Sequence, residues 1–446
     1  MRDTGISRRY FLMGAAASVG SLASRPALAA KSKPRKVSPN EKLNIAGIGV
    51  GGQGGNDIDN LKSENIVALC DVDDAYAAKV YERYPQAKRY RDFRVMLEKQ
   101  KDIDAVVVGT PDHLHAVVSM TAIQLGKHVY CEKPLTHSIH EARAIAKAAR
   151  EAKVATQMGN QGQASEEARV LCELIWAGAI GNVREIHGWC NRNPSISPRG
   201  MARPQGSSPL PATLDWDLWL GPAPVRPYVE HVYQPFVWRG WWDFGTGVLG
   251  DIGCHNFSAI FKALKLGHPT TVEATSTAAQ CPPEVNNESA PTASIVYYEF
   301  PAVGDRPAVT LTWYDGGLMP HRPEELDPEL QFGGGDGMLY VGDKGKMLNH
   351  RIIPESRMKE YGPPPKKLPR SPGHYQEWIN ACKGGEPAGS NFDFAGPLAE
   401  VVLLGNIAIR TGKKLSWDGP NMTITNVPEA NQYINPPYRE GWTLGA

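Results

Sequence analysis

Residues 43–54 read Leu43-Asn44-Ile45-Ala46-Gly47-Ile48-Gly49-Val50-Gly51-Gly52-Gln53-Gly54. The first six carry no charge and form a mostly apolar run, as expected of a parallel strand buried on both faces. The strand runs into Gly49-x-Gly51-x-x-Gly54 and then a helix-like segment to Lys62. In that context Gly49 permits the tight turn, Gly51 lets backbone approach a pyrophosphate, and Gly54 lets helix and strand pack closely. Gly52, within the same turn, is grouped with them as a cofactor-binding residue. The helix start adds free N–H groups and a positive dipole end for phosphate. A second strand, Ile66 to Cys70, ends in Asp71, at about the ~20-residue interval of a dinucleotide fingerprint. A carboxylate there accepts hydrogen bonds from a ribose diol and repels a 2′-phosphate, which favours NAD over NADP.

Working outward, strands alternate with helices: Ala75–Tyr84 helical, Ala105–Val108 strand, Leu114–Leu125 helical, His128–Cys131 strand, Ile139–Ala152 helical, Val154–Met158 strand. Such alternation predicts a doubly wound parallel sheet with right-handed crossovers. Ligands bind outside the carboxyl ends of such strands. That rim carries Thr110-Pro111-Asp112-His113-Leu114-His115 and Cys131-Glu132-Lys133-Pro134. His115 is a candidate for lining the crevice. Pro134 disfavours the α region for Lys133 and holds it extended. Lys133 can be a surface lysine at a strand end, or a compact cation polarising a substrate oxygen.

The chain has 446 residues, enough for two or three domains, and 41% apolar and 21% charged residues, as in soluble globular proteins. A net charge of +1 argues against nucleic acid or an anionic membrane as the main partner. Its seven scattered cysteines include no CxxC pair, so neither a disulfide framework nor a metal site is expected. At the start, Ser7-Arg8-Arg9-Tyr10-Phe11-Leu12 precedes a weakly apolar Gly/Ala-rich run ending near Ala27-Leu28-Ala29. These features predict a twin-arginine export signal over 1–29, engagement of the twin-arginine translocase, and a periplasmic or exported protein, anchored if the signal is uncleaved. Residues 30–42 read as a basic, proline-containing linker.

Gly49-x-Gly51-x-x-Gly54, Asp71, Thr110-Pro111-Asp112-x-x-His115 and Glu132-Lys133-Pro134 together resemble the Gfo/Idh/MocA oxidoreductase family. The resemblance implies a Rossmann domain over 43–160. It also implies a C-terminal α/β domain over 161–446, whose large, open, mostly antiparallel sheet covers the active site and mediates homo-oligomers. It further implies that Glu132 and Lys133 are active-site residues, Pro134 often following a cis bond, with Thr110, Pro111 and His115 near the cofactor.

In the second half, Gly247-Val248-Leu249-Gly250-Asp251-Ile252-Gly253-Cys254-His255-Asn256 opens a helix predicted to run through Phe257 and Ile260. Asp251 and His255 share one face at i, i+4. By spacing alone they fit a helix cap and a packed core histidine as well as a catalytic pair. The match of Gly247-x-x-x-Asp251-x-x-x-His255 to the family's second motif implies a Lys133/Asp251/His255 catalytic set. The aromatic stretches Asp215–Trp219 and Phe236–Phe244 precede this helix. Indole faces with interleaved charges suit sugar rings; most of these tryptophans are expected in packing, with Trp238 and Arg239 the candidate substrate contacts. Further strands are predicted at Val272–Ser276, Thr292–Phe300, Ala308–Trp313 and Met338–Val341, and helices at Tyr375–Cys382 and Leu398–Ile409. The loop Leu318–Gly337, with His321, is a candidate cover for the site.

The leading expectation is an NAD-dependent oxidoreductase on a sugar, glycoside or cyclitol hydroxyl, with tightly held cofactor because export leaves no nucleotide pool to exchange with. A redox-neutral NAD-dependent glycosidase or lyase, which the N-terminal half also resembles, is the first alternative. A noncatalytic, nucleotide-loaded sugar-binding protein is the second.

Overall fold

Six parallel strands form the first sheet: β1 Asn44–Ile48, β2 Asn65–Cys70, β3 Lys88–Tyr90, β4 Ala105–Val108, β5 His128–Glu132 and β6 Thr156–Gly159. Their order is β3-β2-β1-β4-β5-β6, every pairing parallel, with the strand order reversing between β1 and β4. That is the doubly wound arrangement, and its crevice lies at the carboxyl ends on either side of the reversal. The structure, a computed structural model, describes residues 33–191 and 199–445. The expected export signal at 1–29 lies outside the described residues. Within the expected linker, Arg35 donates to both oxygens of Asp104 at 2.6 and 2.7 Å, so this stretch is docked against the first sheet.

The second sheet has nine strands: β7 Val183–Cys190, β8 Thr271–Ser276, β9 Ser294–Phe300, β10 Val309–Asp315, β11 Asp336–Gly342, β12 Gly345–Leu348, β13 Arg351–Ile353, β14 Leu415–Asp418 and β15 Thr423–Ile424. The order is β13-β12-β11-β7-β10-β9-β8-β14-β15. Only β7 and β10 pair in parallel; the rest are antiparallel, so the sheet is mixed and mostly antiparallel. The mixed character follows from β7, which enters the middle of the sheet directly after the helix Glu166–Trp176.

The long helix Phe392–Thr411 packs on the helix Ile139–Ala152 of the first layer and on β8 and β9 of the second. By length and composition it could cross a bilayer, but 83% of its apolar window is buried within the protein, and it serves as the core helix joining the layers. It begins at Asn391, whose side chain accepts from Asp393 N, and ends at Gly412 in the left-handed region (φ 61°). Gly405 lets Tyr298 and Leu249 pack on it, since an added Cβ would meet the Tyr298 hydroxyl at 2.1 Å.

The helix carrying Asp251 and His255 spans Gly247–Asn256, and a separate helix covers Ser258–Leu264. The predicted continuous helix is interrupted for one residue at Phe257, which keeps helical angles (φ −77°, ψ −18°). Gly253 allows this helix to lie against the core helix, where an added Cβ would stand 2.9 Å from Val402 Cγ1. The apolar side is thereby committed to packing. Asp251 and His255 are left facing the crevice.

Candidate active site

A cavity of about 340 Å³ opens at the carboxyl ends of β1, β2, β4 and β5 and is roofed by segments of the second half. Three strand spacings separate β2 from β5, roughly 14 Å, so the cavity has two distinct ends.

Toward the β2 end lie Asp71 after β2 and Gly49 and Gly51 after β1, with Thr110 and Pro111 after β4 between the two ends. Gly49 has φ 73°, and an added Cβ would sit 2.6 Å from Thr110 N. Gly54 does not line the cavity; it lies under the turn, where a Cβ would meet Gly49 O at 2.0 Å. Gly52 is also outside the lining, although its φ of 61° shapes the turn. Asp71 accepts from Gly51 N at 2.9 Å and from Asp73 N at 3.0 Å. Burial pushes its pKa up to about 6. A bare-backbone turn beside a buried carboxylate fits the pyrophosphate and ribose of a dinucleotide.

At the β5 end stand Glu132, Lys133, Gln161, Trp238, Arg239, Asp251 and His255. Lys133 follows β5 and precedes Pro134 through a cis peptide. Its ammonium donates to Asp251 Oδ1, and Arg239 Nε donates to the same oxygen at 3.2 Å. Burial alone would raise the Asp251 pKa, but the charges of Lys133 and Arg239 overcome it and hold this carboxyl well below the usual range. Asp251 is therefore an anion that fixes two cations, and it sits one helical turn from His255. The Arg239 guanidinium lies 3.9 Å from the Phe236 ring centroid and 4.3 Å from that of Trp238. Planar stacking of this kind is what arginine offers and lysine does not.

Glu132 accepts from Gln161 Nε2 at 2.9 Å, and burial raises its pKa. Below it, the fully buried Asp57 accepts from Tyr375 OH at 2.8 Å and Gln53 Nε2 at 2.9 Å. Burial, reinforced by the charge of Glu132, keeps the Asp57 carboxyl protonated well above the ordinary carboxylate range.

Two segments tie the halves together beneath the cavity. Asp112 is buried, accepts from Thr246 Oγ1 at 2.7 Å, and is pushed by burial up to about 7. His113 is sandwiched between Trp219 and Phe244, with its ring nitrogens facing both of their carbonyl oxygens.

His115, expected to line the crevice, does not. Its ring nitrogens lie 2.8 Å from the carbonyls of Thr110 and Pro134, and burial pushes its pKa down to about 4. It braces the two cavity-lining segments from below, because the helix Asp112–Gln124 starts early enough to turn residue 115 inward. The loop carrying His321 also stays outside the lining; its Leu326, Met319 and Phe332 pack around Trp189 instead. The tryptophan-rich stretches form their own core, in which Trp216 and Trp219 stack at 4.7 Å, and only Trp219 and Trp238 reach the cavity.

Gln161, Asp57, Tyr76 and Phe236 were not anticipated. Gln161 follows β6 at the same sheet edge, so the strand-end rule that singled out Lys133 applies to it equally. Tyr76 lies against the glycine turn, where a Cβ on Gly51 would stand 2.0 Å from its ring. Nothing local in the sequence distinguishes Tyr76 or Phe236 from packing aromatics.

Fold and site define a two-layer α/β nucleotide-binding protein whose second layer supplies a carboxylate and an imidazole to a lysine on the first. One family model, described as an oxidoreductase family with NAD-binding Rossmann fold, matches residues 43–160, and its C-terminal α/β counterpart matches 201–444. The chain belongs to the Gfo/Idh/MocA oxidoreductase family. An inositol 2-dehydrogenase of Rubrobacter xylanophilus is 30% identical over 163 residues, covering 35% of this chain and 46% of that protein. A levoglucosan dehydrogenase of Pseudarthrobacter phenanthrenivorans is 26% identical over 130 residues, covering 29% and 33%. The chain thus spans about half, or less, of the curated relatives it matches. Among solved structures, the WlbA dehydrogenase of Bordetella pertussis, in complex with NADH and UDP-GlcNAcA, aligns with a TM-score of 0.59 at 17% identity, over 84% of this chain and 99% of that one. Apo scyllo-inositol dehydrogenase of Lactobacillus casei aligns at 0.57 with 14% identity, over 84% and 98%. These two likenesses are of fold.

Proposed function

We propose that the protein is an NAD-dependent oxidoreductase acting on a CH–OH group of a sugar, glycoside or cyclitol. The observation that carries this is the meeting of Lys133 with Asp251 and His255 in one cavity whose other end holds the glycine turn and Asp71. NAD, when bound, supplies the hydride acceptor. His255 takes the hydroxyl proton, a task suited to imidazole near neutral pH. Lys133, 13% exposed, donates a hydrogen bond to the oxygen as negative charge develops there. Asp251 positions Lys133 and Arg239 without consuming a proton. Trp238 and the Arg239–Phe236 stack offer a flat face and donors to the substrate ring. The names of the partial relatives, an inositol 2-dehydrogenase and a levoglucosan dehydrogenase, support a cyclitol or carbohydrate substrate.

Export by the twin-arginine translocase, a periplasmic location, nucleotide retained through many turnovers, a domain division after residue 160, and homo-oligomeric assembly belong to the same proposal. They rest on the sequence. The test is to purify the mature protein, heat-release and identify its nucleotide, and screen free sugars, cyclitols and glycosides by nicotinamide absorbance. Substrate-dependent reduction supports the oxidoreductase. Aglycone release with no net reduction would replace it with the redox-neutral glycosidase, and ligand binding without any turnover would replace it with a carrier.

A further inference from the structure

After the turn Pro428–Tyr433 the chain returns from the second sheet to the first layer. Ile434 O accepts from His140 N at 3.0 Å, and Tyr438 OH donates to Glu141 Oε1 at 2.5 Å. Arg439 then anchors the tail to the Trp216–Leu220 helix. Its backbone N donates to Pro222 O at 2.9 Å, Nε to Gly221 O at 2.9 Å, Nη1 to Asp217 Oδ1 at 2.5 Å and Nη2 to Asp217 O at 3.1 Å. Trp442 N donates to Arg439 O at 3.1 Å, so the anchor also sets the tryptophan.

Trp442 lines the cavity, the last of the described residues to do so. Its ring centroid lies 6.3 Å from that of Phe93, and the Arg94 guanidinium stands 4.7 Å over it. Phe93, which begins the helix after β3, lines the cavity with it, as do Leu114 and Val118 of the helix after β4; β3 adjoins β2, which runs into Asp71, while Lys133 follows β5 further along the sheet. Asp71 takes the ribose of a dinucleotide bound here, so the base attached to that ribose falls among these apolar side chains. An aromatic wall is suited to a base, because every base presents a π-face.

We propose that Trp442 is a nucleotide-binding residue that closes the adenosine end of the cavity, and that the Arg439 anchor makes residues 438–444 a strap slowing nucleotide release. The proposal rests on NAD occupying this cavity and is independent of which hydroxyl is oxidised. Removing the indole opens the wall. Removing the Arg439 side chain leaves the indole intact but frees its support, so both changes act on release by different routes.

The test uses the full-length protein loaded with NADH and chased with excess unlabelled NAD, following loss of bound-NADH fluorescence. Trp442→Ala should release NADH about 5- to 140-fold faster, as base–aromatic stacking of ~1–3 kcal/mol implies. Arg439→Ala should also accelerate release, and Trp442→Phe should stay near the parent rate. Far-UV circular dichroism checks that each variant is folded, and Arg439→Ala serves alone if Trp442→Ala is not. Release at the parental rate from folded Arg439→Ala and Trp442→Ala would overturn the strap while leaving the NAD site standing. A parent chain that binds no nucleotide would overturn the strap and the NAD site together.

Discussion

Lys133 and Asp251 lie 118 residues apart in the chain, one at a strand end of the first sheet and one on a helix of the second layer, and they hydrogen-bond inside the cavity. Asp251 also accepts from Arg239, so removing Lys133 does not leave a buried carboxylate without a cation. Lys133→Met is therefore expected to fold and to bind nucleotide normally. Its kcat should fall about 10²–10³-fold, the usual loss for one donor to developing negative charge. Steady-state kinetics beside nucleotide titration checks this, and loss of nucleotide binding would count against it.

His255→Gln should lower kcat/KM by about 10²–10⁴-fold. The decisive readout is the pH profile. The parent should lose activity as pH falls and the imidazole becomes protonated, whereas the variant should lack that acidic limb. An unchanged profile would remove His255 from the role of base.

Asp71 has a pKa pushed up to about 6, first of all by burial. The ionised form is the acceptor for a ribose diol, so NAD affinity should fall as pH drops below about 6 and stay level above it. Asp71→Asn should weaken NAD by about 10- to 100-fold, the range of a charge-assisted hydrogen bond, and should flatten that dependence. Calorimetric titration across the pH range measures both.

Asp112 is raised to about 7 by burial, against an ordinary 3.8. A carboxyl raised in the folded state adds stability below its unfolded pKa and loses that contribution as pH rises through the folded one. The parent should therefore lose this contribution between about pH 4 and pH 7. Asp112→Asn does not titrate, so its Tm relative to the parent should rise across that window and level off above it.

Gly54→Ala should destabilise the fold by about 1–3 kcal/mol, the cost of overpacking, because the new Cβ meets the fixed backbone oxygen of Gly49 at 2.0 Å. Gly51→Ala would first meet the Tyr76 ring at 2.0 Å, a side chain that can swing away. Thermal unfolding should separate the two, with Gly54→Ala melting lower.

Much of the first sheet was readable from residues 43–159. The strand Ala105–Val108 and the helix Ile139–Ala152 match their expected limits, because burial on both faces makes β4 uniformly apolar and a Ser138 cap with Glu141 marks the helix start. β3, only three residues with Lys88 and Arg89 exposed, carries no apolar signal and was missed. β7 was missed as well: Arg184, Glu185 and Gly188 break its alternation, although it pairs on both sides in the centre of the second sheet. Pairing partners supply what its own pattern lacks.

Local chemistry in the chain was enough to specify the glycine turn, Asp71, the extended Lys133 and the shared face of Asp251 and His255, because each depends on neighbours within one turn or strand. The joining of Lys133 to Asp251, the inward burial of His115 against Pro134, and the return of Trp442 to the first layer came from packing alone. They are contacts between segments tens to hundreds of residues apart. No residue in those segments announces its partner, and only the volume and charge left after the two layers close selects which groups meet.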